Sequence, residues 1–158
     1  MNVLWLQSGG CGGCSMSLLN AEAPDLYQLF QLTNINLLWH PSLSEASNGE
    51  CIALLNGILR DEIQLDVLCL EGSVVCGPNG SGAFHMLSGT QKSMMQWLKD
   101  LSAKAQYVVA MGSCAAFGGI TAAGENIAEA TGLQYDGAQL SGLLGAEWRS
   151  QAHFPVIN

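Results

Sequence analysis

A three-layer α/β fold, with a five-stranded parallel sheet sandwiched between helices, is predicted by three features of this sequence. Apolar runs of strand length recur along the chain. Between them lie longer segments whose apolar residues return every three or four positions, as on one face of a helix. The runs are also spaced widely enough for crossover helices, which parallel neighbours require and a hairpin does not.

Val3-Leu4-Trp5-Leu6 is apolar without alternation and ends at Ser8-Gly9-Gly10, as expected for a strand buried on both faces. Ser15 to Phe30 carries a helical stripe of Met16, Leu18, Leu19, Leu26, Leu29 and Phe30, with Pro24 as its weak point. Ile35 to Trp39 reads as the second strand, and Pro41 ends it. Leu43 to Leu59 reads as a helix with Ala46, Ile52, Leu55 and Leu59 on its inner face. Leu65 to Leu70 is the third strand, and the Gly, Pro and Asn residues of Glu71 to Phe84 mark a loop. A helix over Thr90 to Ala103 leads to the fourth strand, Tyr107 to Met111, and a loop at Gly112-Ser113-Cys114. Gly118 to Leu140 has no clear period. Phe154-Pro155-Val156-Ile157 reads as the fifth strand. The strand order expected is 2-1-3-4-5, that of a flavodoxin-like fold, in a single domain over residues 1–158.

Ligands of such sheets sit beyond the carboxyl ends of the strands. Cys11 and Cys14 follow strand one, Glu71 and Cys76 follow strand three, and Cys114 follows strand four. Separate stretches of chain therefore converge on one edge.

Composition narrows the classes of function. Five Lys and Arg against 13 Asp and Glu leave a net charge of −8, and Arg60, Lys92, Lys99, Lys104 and Arg149 form no stripe that could track phosphates, which argues against nucleic acid. With 11% charged and 49% apolar residues, the chain is short of charge for covering its own surface, and a protein partner is expected. The opening Met1-Asn2-Val3-Leu4-Trp5-Leu6 lacks the basic start of a signal peptide, and no apolar stretch approaches the roughly 20 residues of a membrane helix. A cytoplasmic location follows as an expectation, and with it reduced thiols: six cysteines serve there as ligands, redox groups or small core residues.

Cys11-Gly12-Gly13-Cys14 leaves two chemistries open. A thiol–disulfide oxidoreductase of thioredoxin type also places CxxC between a strand and a helix, whose N-terminus lowers the thiol pKa. An iron–sulfur cluster uses the same helix end and the close backbone approach that glycines permit, and Cys114 would be its third thiolate. Structural zinc needs a second ligand pair at tight spacing, and His40, His85 and His153 are scattered. Cys51 and Cys69 read as small buried residues; Cys76 lies at the right edge without a clear role. Gly77-Pro78-Asn79-Gly80-Ser81-Gly82 lacks the Lys-Ser/Thr ending of a phosphate loop and reads as a surface turn. Glu71, at the end of a buried strand, reads equally as a helix or loop cap and as a group beside the site.

Several ordered motifs carry a resemblance. Val3-Leu4-Trp5-Leu6-Gln7, Cys11-Gly12-Gly13-Cys14-Ser15-Met16-Ser17-Leu18-Leu19, Glu71-Gly72-Ser73, Met111-Gly112-Ser113-Cys114-Ala115-Ala116-Phe117-Gly118-Gly119-Ile120 and Pro155-Val156-Ile157-Asn158 resemble the small subunit of nickel–iron hydrogenases. Trp39-His40-Pro41-Ser42-Leu43 and Glu71 to Gly82 are similar to its cytoplasmic uptake and hydrogen-sensing branch. The resemblance spans the whole chain. It implies an electron-transfer subunit whose N-terminal domain holds the proximal 4Fe-4S cluster beside the nickel–iron centre of a large subunit. That subunit pair would serve an electron acceptor or a signalling partner. Cys11, Cys14 and Cys114 match three cluster ligands, and Glu71 is implied near the cluster or on a proton route. The family's fourth ligand lies in a Gly-Cys-Pro segment shortly after the strand ending here at Asn158, so the chain is expected to be a fragment without the C-terminal cluster region. With three ligands present, a cluster-free scaffold is the remaining alternative. Gly13 and Gly119 stand where oxygen-tolerant relatives carry extra cysteines, which implies a conventional cluster.

Overall fold

The computed structural model describes residues 1–158. In chain order the elements are β1 (Asn2–Gln7), α1 (Gly13–Leu19), α2 (Leu26–Thr33), β2 (Asn36–Trp39), α3 (Asn48–Leu59), β3 (Val67–Glu71), β4 (Val74–Val75), α4 (Met94–Ser102), β5 (Tyr107–Met111), α5 (Gly112–Phe117), a 3₁₀ turn (Gly119–Ala122) and β6 (Ala130–Thr131).

Four parallel strands form the main sheet in the order β2-β1-β3-β5, the order expected for the first four predicted strands. The fifth predicted strand is corrected. Ile157 alone bridges to Val109, accepting from Ala110 N at 2.8 Å and donating to Val108 O at 2.9 Å. Pro155, two residues earlier on the side facing β5, has no N–H to extend the ladder.

Strand alternation divides the core between two faces. Leu4, Leu6, Leu68, Leu70, Val108 and Ala110 pack with Cys51, Leu55 and Ile58 of α3 and with Met94, Leu98 and Leu101 of α4. Val3, Trp5 and Cys69 face the other way, toward Leu18 of α1. That second face is thinly covered: α2 buries none of its residues, and Leu26, Leu29 and Phe30 wall an apolar cavity of about 250 Å³ over the sheet. Cys51 and Cys69 are small core residues, as expected, and burial pushes the Cys69 thiol up to about 12.

The helices begin where side chains can cap them. Ser47 with Glu50 and Ser93 with Gln96 form capping boxes, so α3 and α4 start at Asn48 and Met94, inside the predicted Leu43 and Thr90. The predicted helix from Ser15 to Phe30 is two helices, and Pro24, which cannot donate to an i−4 carbonyl, lies in the break. The predicted loop at Cys114 is the short helix α5, seated by buried Ala115 and Ala116. Within 118–140, β6 pairs antiparallel with β4, two residues from each, too short for alternation to show. No helix is long and apolar enough to cross a membrane.

Burial lowers the pKa of both His40 and His85, with Glu71 partly opposing the effect at His40. Their folded pKa values lie below the unfolded value of about 6.5, so the unfolded chain binds more protons as pH falls. Stability from this source is therefore full above about pH 6.5 and declines below it. The denaturant midpoint should be lower at about pH 5.5 than at about pH 7.5, and His85→Gln should flatten that dependence.

Candidate metal centre

The loops leaving β1 and β3 are zipped together. Ser8 N donates to Glu71 O at 2.8 Å, Gly9 N to Ser73 O at 3.0 Å, and Ser73 N to Gly9 O at 2.7 Å. Gly72 has a φ of 86°, and a Cβ there would lie 2.9 Å from the Gly9 carbonyl oxygen, so only glycine fits this crossing. Thr121 Oγ1 donates to the same Gly9 oxygen at 3.0 Å and draws in the segment that follows β5.

Three thiols line one concavity above this crossing. Cys14 lies in the first turn of α1, Cys11 in the turn before it and Cys114 in the first turn of α5. With Glu71, Gly10, Gly12, Gly13 and Gly72 they line one shallow concavity of about 20 Å³. The Cys14 thiol donates to Met111 O at 3.4 Å. Gly112 and Gly119 complete the walls: a Cβ at Gly112 would stand 2.4 Å from Cys14 Sγ, and one at Gly119 2.6 Å from Cys114 Sγ. The backbone thus comes as close to the thiols as a missing side chain allows.

This donor set fits an iron–sulfur cluster. No three His, Cys, Asp or Glu side chains converge closely enough to hold one metal ion. An iron–sulfur cluster is held by Cys thiolates, and three cysteines line this concavity. Cys76 does not line it and packs instead against the edge of the core.

Glu71 is both a cap and a neighbour of the site. Its Oε1 accepts from Cys14 N and Ser15 N, each at 3.0 Å. Its Oε2 accepts from Gln7 Nε2 at 2.9 Å, from Trp5 Nε1 at 3.2 Å and from the Ser15 hydroxyl. Parallel register places Gln7 beside Glu71 and Trp5 beside Cys69, on one face. Helix α1 has Gly12 as its N-cap, without a side-chain cap of its own, and Glu71 supplies that cap from another strand. Burial pushes the carboxyl up, but the hydrogen bonds from Ser15, Gln7 and Trp5 outweigh it and leave it below the ordinary carboxylate range. The sequence-based expectation that α1 amides face the ligand is corrected at Cys14 and Ser15, whose N–H groups go to Glu71.

The surroundings of Cys14 oppose its free thiolate, which suits both chemistries left open for CxxC, since a thiol–disulfide catalyst needs a depressed pKa only at its attacking thiol. Burial pushes the Cys14 thiol up, and Glu71, Cys11 and Cys114 push it further. A cation, such as iron, bound to these sulfurs reverses that balance.

The other candidates lie elsewhere. A cavity of about 380 Å³ is lined by Asp61, Gln64, Lys104, Gln106 and Gln151, at the amino ends of β3 and β5 and far from the thiols. In the Gly77 to Gly82 turn, Asn79 N and Gly80 N donate to the Glu129 carboxylate at 2.6 and 2.7 Å, so an internal acid fills the place a phosphate would take. His40, Ser15 and Gln7 around Glu71 were not singled out from sequence; the trace they leave is a histidine ending an otherwise apolar strand.

Fold and site together define an α/β domain with a cysteine- and glycine-lined concavity at the strand ends of a parallel sheet. The chain belongs to the NADH ubiquinone oxidoreductase 20 Kd subunit family, whose model matches residues 11–156. It is 33% identical over 139 residues to the F420 non-reducing hydrogenase I small subunit of Methanosarcina mazei, covering 82% of this chain and 36% of that protein. It is 32% identical over 136 residues to the periplasmic NiFeSe hydrogenase small subunit of Desulfomicrobium baculatum, covering 79% of this chain and 41% of that one. Among solved structures, an actinobacterial-type NiFe-hydrogenase from Ralstonia eutropha matches all of this chain and 47% of its own with a TM-score of 0.82 at 30% identity. The Desulfomicrobium baculatum enzyme matches 84% of this chain and 49% of its own, with a TM-score of 0.73 at 30% identity. The chain therefore spans well under half the length of these curated relatives.

Proposed function

We propose that this chain is the cluster-bearing part of an electron-transfer small subunit of a nickel–iron hydrogenase, working in hydrogen uptake or hydrogen sensing. The observation that carries this reading is the convergence of Cys11, Cys14, Cys114 and Glu71 on one glycine-walled concavity. Similarity to hydrogenase small subunits supports it. Cys11, Cys14 and Cys114 would hold three irons of the proximal 4Fe-4S cluster, and the fourth ligand would come from outside these residues. When bound, such a cluster supplies a one-electron redox centre. Hydrogen chemistry itself belongs to the nickel–iron centre of the large subunit.

The residues of this chain then have distinct tasks. Gly112 and Gly119 admit the sulfurs without a clash, and Glu71 fixes the turn that carries Cys14. The Glu71 carboxylate, hydrogen-bonded but without a cationic partner, would also disfavour added negative charge nearby and hold the reduction potential of a bound cluster down. Exposed Met16 on α1, with Phe117 and Ile120 just past Cys114, offers the large subunit an apolar rim that would exclude water. Electrons would leave toward a further acceptor or a signalling partner.

The test is anaerobic reconstitution of the complete small subunit with its large subunit, followed by an iron and sulfide count at the proximal position. Occupancy by about four irons is expected. Fewer than about two would leave a cluster-free scaffold as the function of this segment.

A further inference from the structure

We propose that His40 is a positioning residue for the cluster-bearing turn, acting through Ser15 and Glu71. The identity of the group held by Cys14 rests on the function proposed above; the hydrogen-bond chain does not.

His40 follows β2, is 1% exposed, and lies with its ring centroid 5.1 Å from that of Trp5. Its Nδ1 accepts from Ser42 N at 3.1 Å, which assigns the ring proton to Nε2. Nε2–H then donates to Ser15 Oγ at 3.1 Å, and the Ser15 hydroxyl, having accepted there, directs its own proton to Glu71 Oε2. Every proton in the series Ser42, His40, Ser15, Glu71 points toward the carboxylate. One backbone amide sets the direction of the whole chain.

The turn that bears His40 is itself fixed. His40 N donates to Ser44 Oγ at 2.8 Å, and Leu43 N and Ser44 N donate back to His40 O at 3.2 and 3.0 Å. A protonated ring would leave Ser42 N–H without an acceptor, so this geometry holds the imidazole neutral. Trp5 from β1, Ser15 from α1, Ser42 and Ser44 from the turn, and Glu71 from β3 surround it; of these only Glu71 is charged.

The consequence reaches the thiol. Ser15 (3% exposed) and Glu71 (2% exposed) have no bulk water to replace a lost partner. Without the His40 donor, Ser15 Oγ is left with Gln7 Nε2, at 3.4 Å, as its donor, and the carboxylate that holds Cys14 N and Ser15 N is less firmly placed. His40 thus governs the sulfur of Cys14 without touching it.

The experiment uses the complete heterodimer with His40→Phe, which keeps an aromatic ring, and His40→Gln, which keeps one donor and one acceptor. Two properties are read: the g-value spread and linewidth of the reduced cluster's paramagnetic signal, and hydrogen–deuterium exchange of the peptide from Gln7 to Leu19. His40→Phe should broaden the signal and speed exchange at the start of α1 about fivefold, the factor set by one hydrogen bond of about 1 kcal/mol. His40→Gln should restore both. Ser15→Ala, which cuts the chain at its middle, should reproduce the phenylalanine result and serves if His40→Phe does not assemble. Wild-type behaviour of His40→Phe or Ser15→Ala would overturn the proposal. Equal disturbance by Phe and Gln would reduce His40 to packing and overturn it too. A wild-type complex with no cluster signal refutes the proposed function instead, and exchange alone then decides the role of His40.

Discussion

Replacing Cys114 by alanine in the complete heterodimer should abolish the proximal cluster while leaving the domain folded. Its visible absorption and its reduced-state paramagnetic signal should both be lost. The effect is large because Cys11 and Cys14 come from a single turn and hold only one side of the concavity, whereas Cys114 is the thiol that α5 brings to it. Folding should survive, since Ala115 and Ala116, not the half-buried Cys114, seat α5 in the core. Alanine is also a strong helix former, and the stability change should stay within about 1 kcal/mol. A disulfide catalyst working through Cys11 and Cys14 would be indifferent to this substitution. An unchanged spectrum would therefore remove Cys114 from the ligand set and revive that chemistry.

Gly112→Ala should be nearly as damaging although no proposed ligand is replaced. The backbone at Gly112 has a φ of 78°, where an alanine costs roughly 1–2 kcal/mol. The new methyl would sit 2.4 Å from Cys14 Sγ, so the sulfur or the strand end must move. Overpacking of this kind adds about 1–3 kcal/mol. Thermal unfolding of the complex should show the lost stability, and iron analysis should show a depleted proximal site. Gly145→Ala is a fitting control: its φ is 77°, but a Cβ there meets nothing within 4 Å, so strain without a clash should lower stability and spare the iron. Equal iron loss in both variants would show that strain alone, not the approach to Cys14, was responsible.

Much of the architecture was legible because it rests on local signals. The strands at Val3, Ile35, Leu65 and Tyr107 announce themselves as apolar runs, and the order of the sheet follows from crossover lengths. The misplaced boundaries had legible causes as well: Ser47 with Glu50 and Ser93 with Gln96 are capping boxes written in the sequence, and both mark their helix starts more sharply than the apolar period does. The fifth strand failed for an equally local reason, since Pro155 removes the donor that would have extended its ladder. The two-residue pairing of β4 with β6 had no such signal, because a pair that short depends on where the rest of the fold has placed it.

The candidate site divides the same way. Residue types and strand ends brought Cys11, Cys14, Cys114 and Glu71 forward, because chemistry of this kind collects at the carboxyl edge of a parallel sheet whatever its loops are doing. Which hydrogen bonds those groups make depended on the tertiary structure. Glu71 lies 57 positions from Cys14 in the chain, and only the β1–β3 register brings its carboxylate over the first turn of α1. The alignment of Ser42, His40 and Ser15 toward that carboxylate depends on three elements arriving within about 3 Å of one another, a range fixed by hydrogen-bond geometry and invisible to any local pattern. Sequence was enough to bring the thiols of a candidate site forward; packing decided that two of the helix amides beside them serve an internal carboxylate, because a buried anion takes whatever donors the fold places against it.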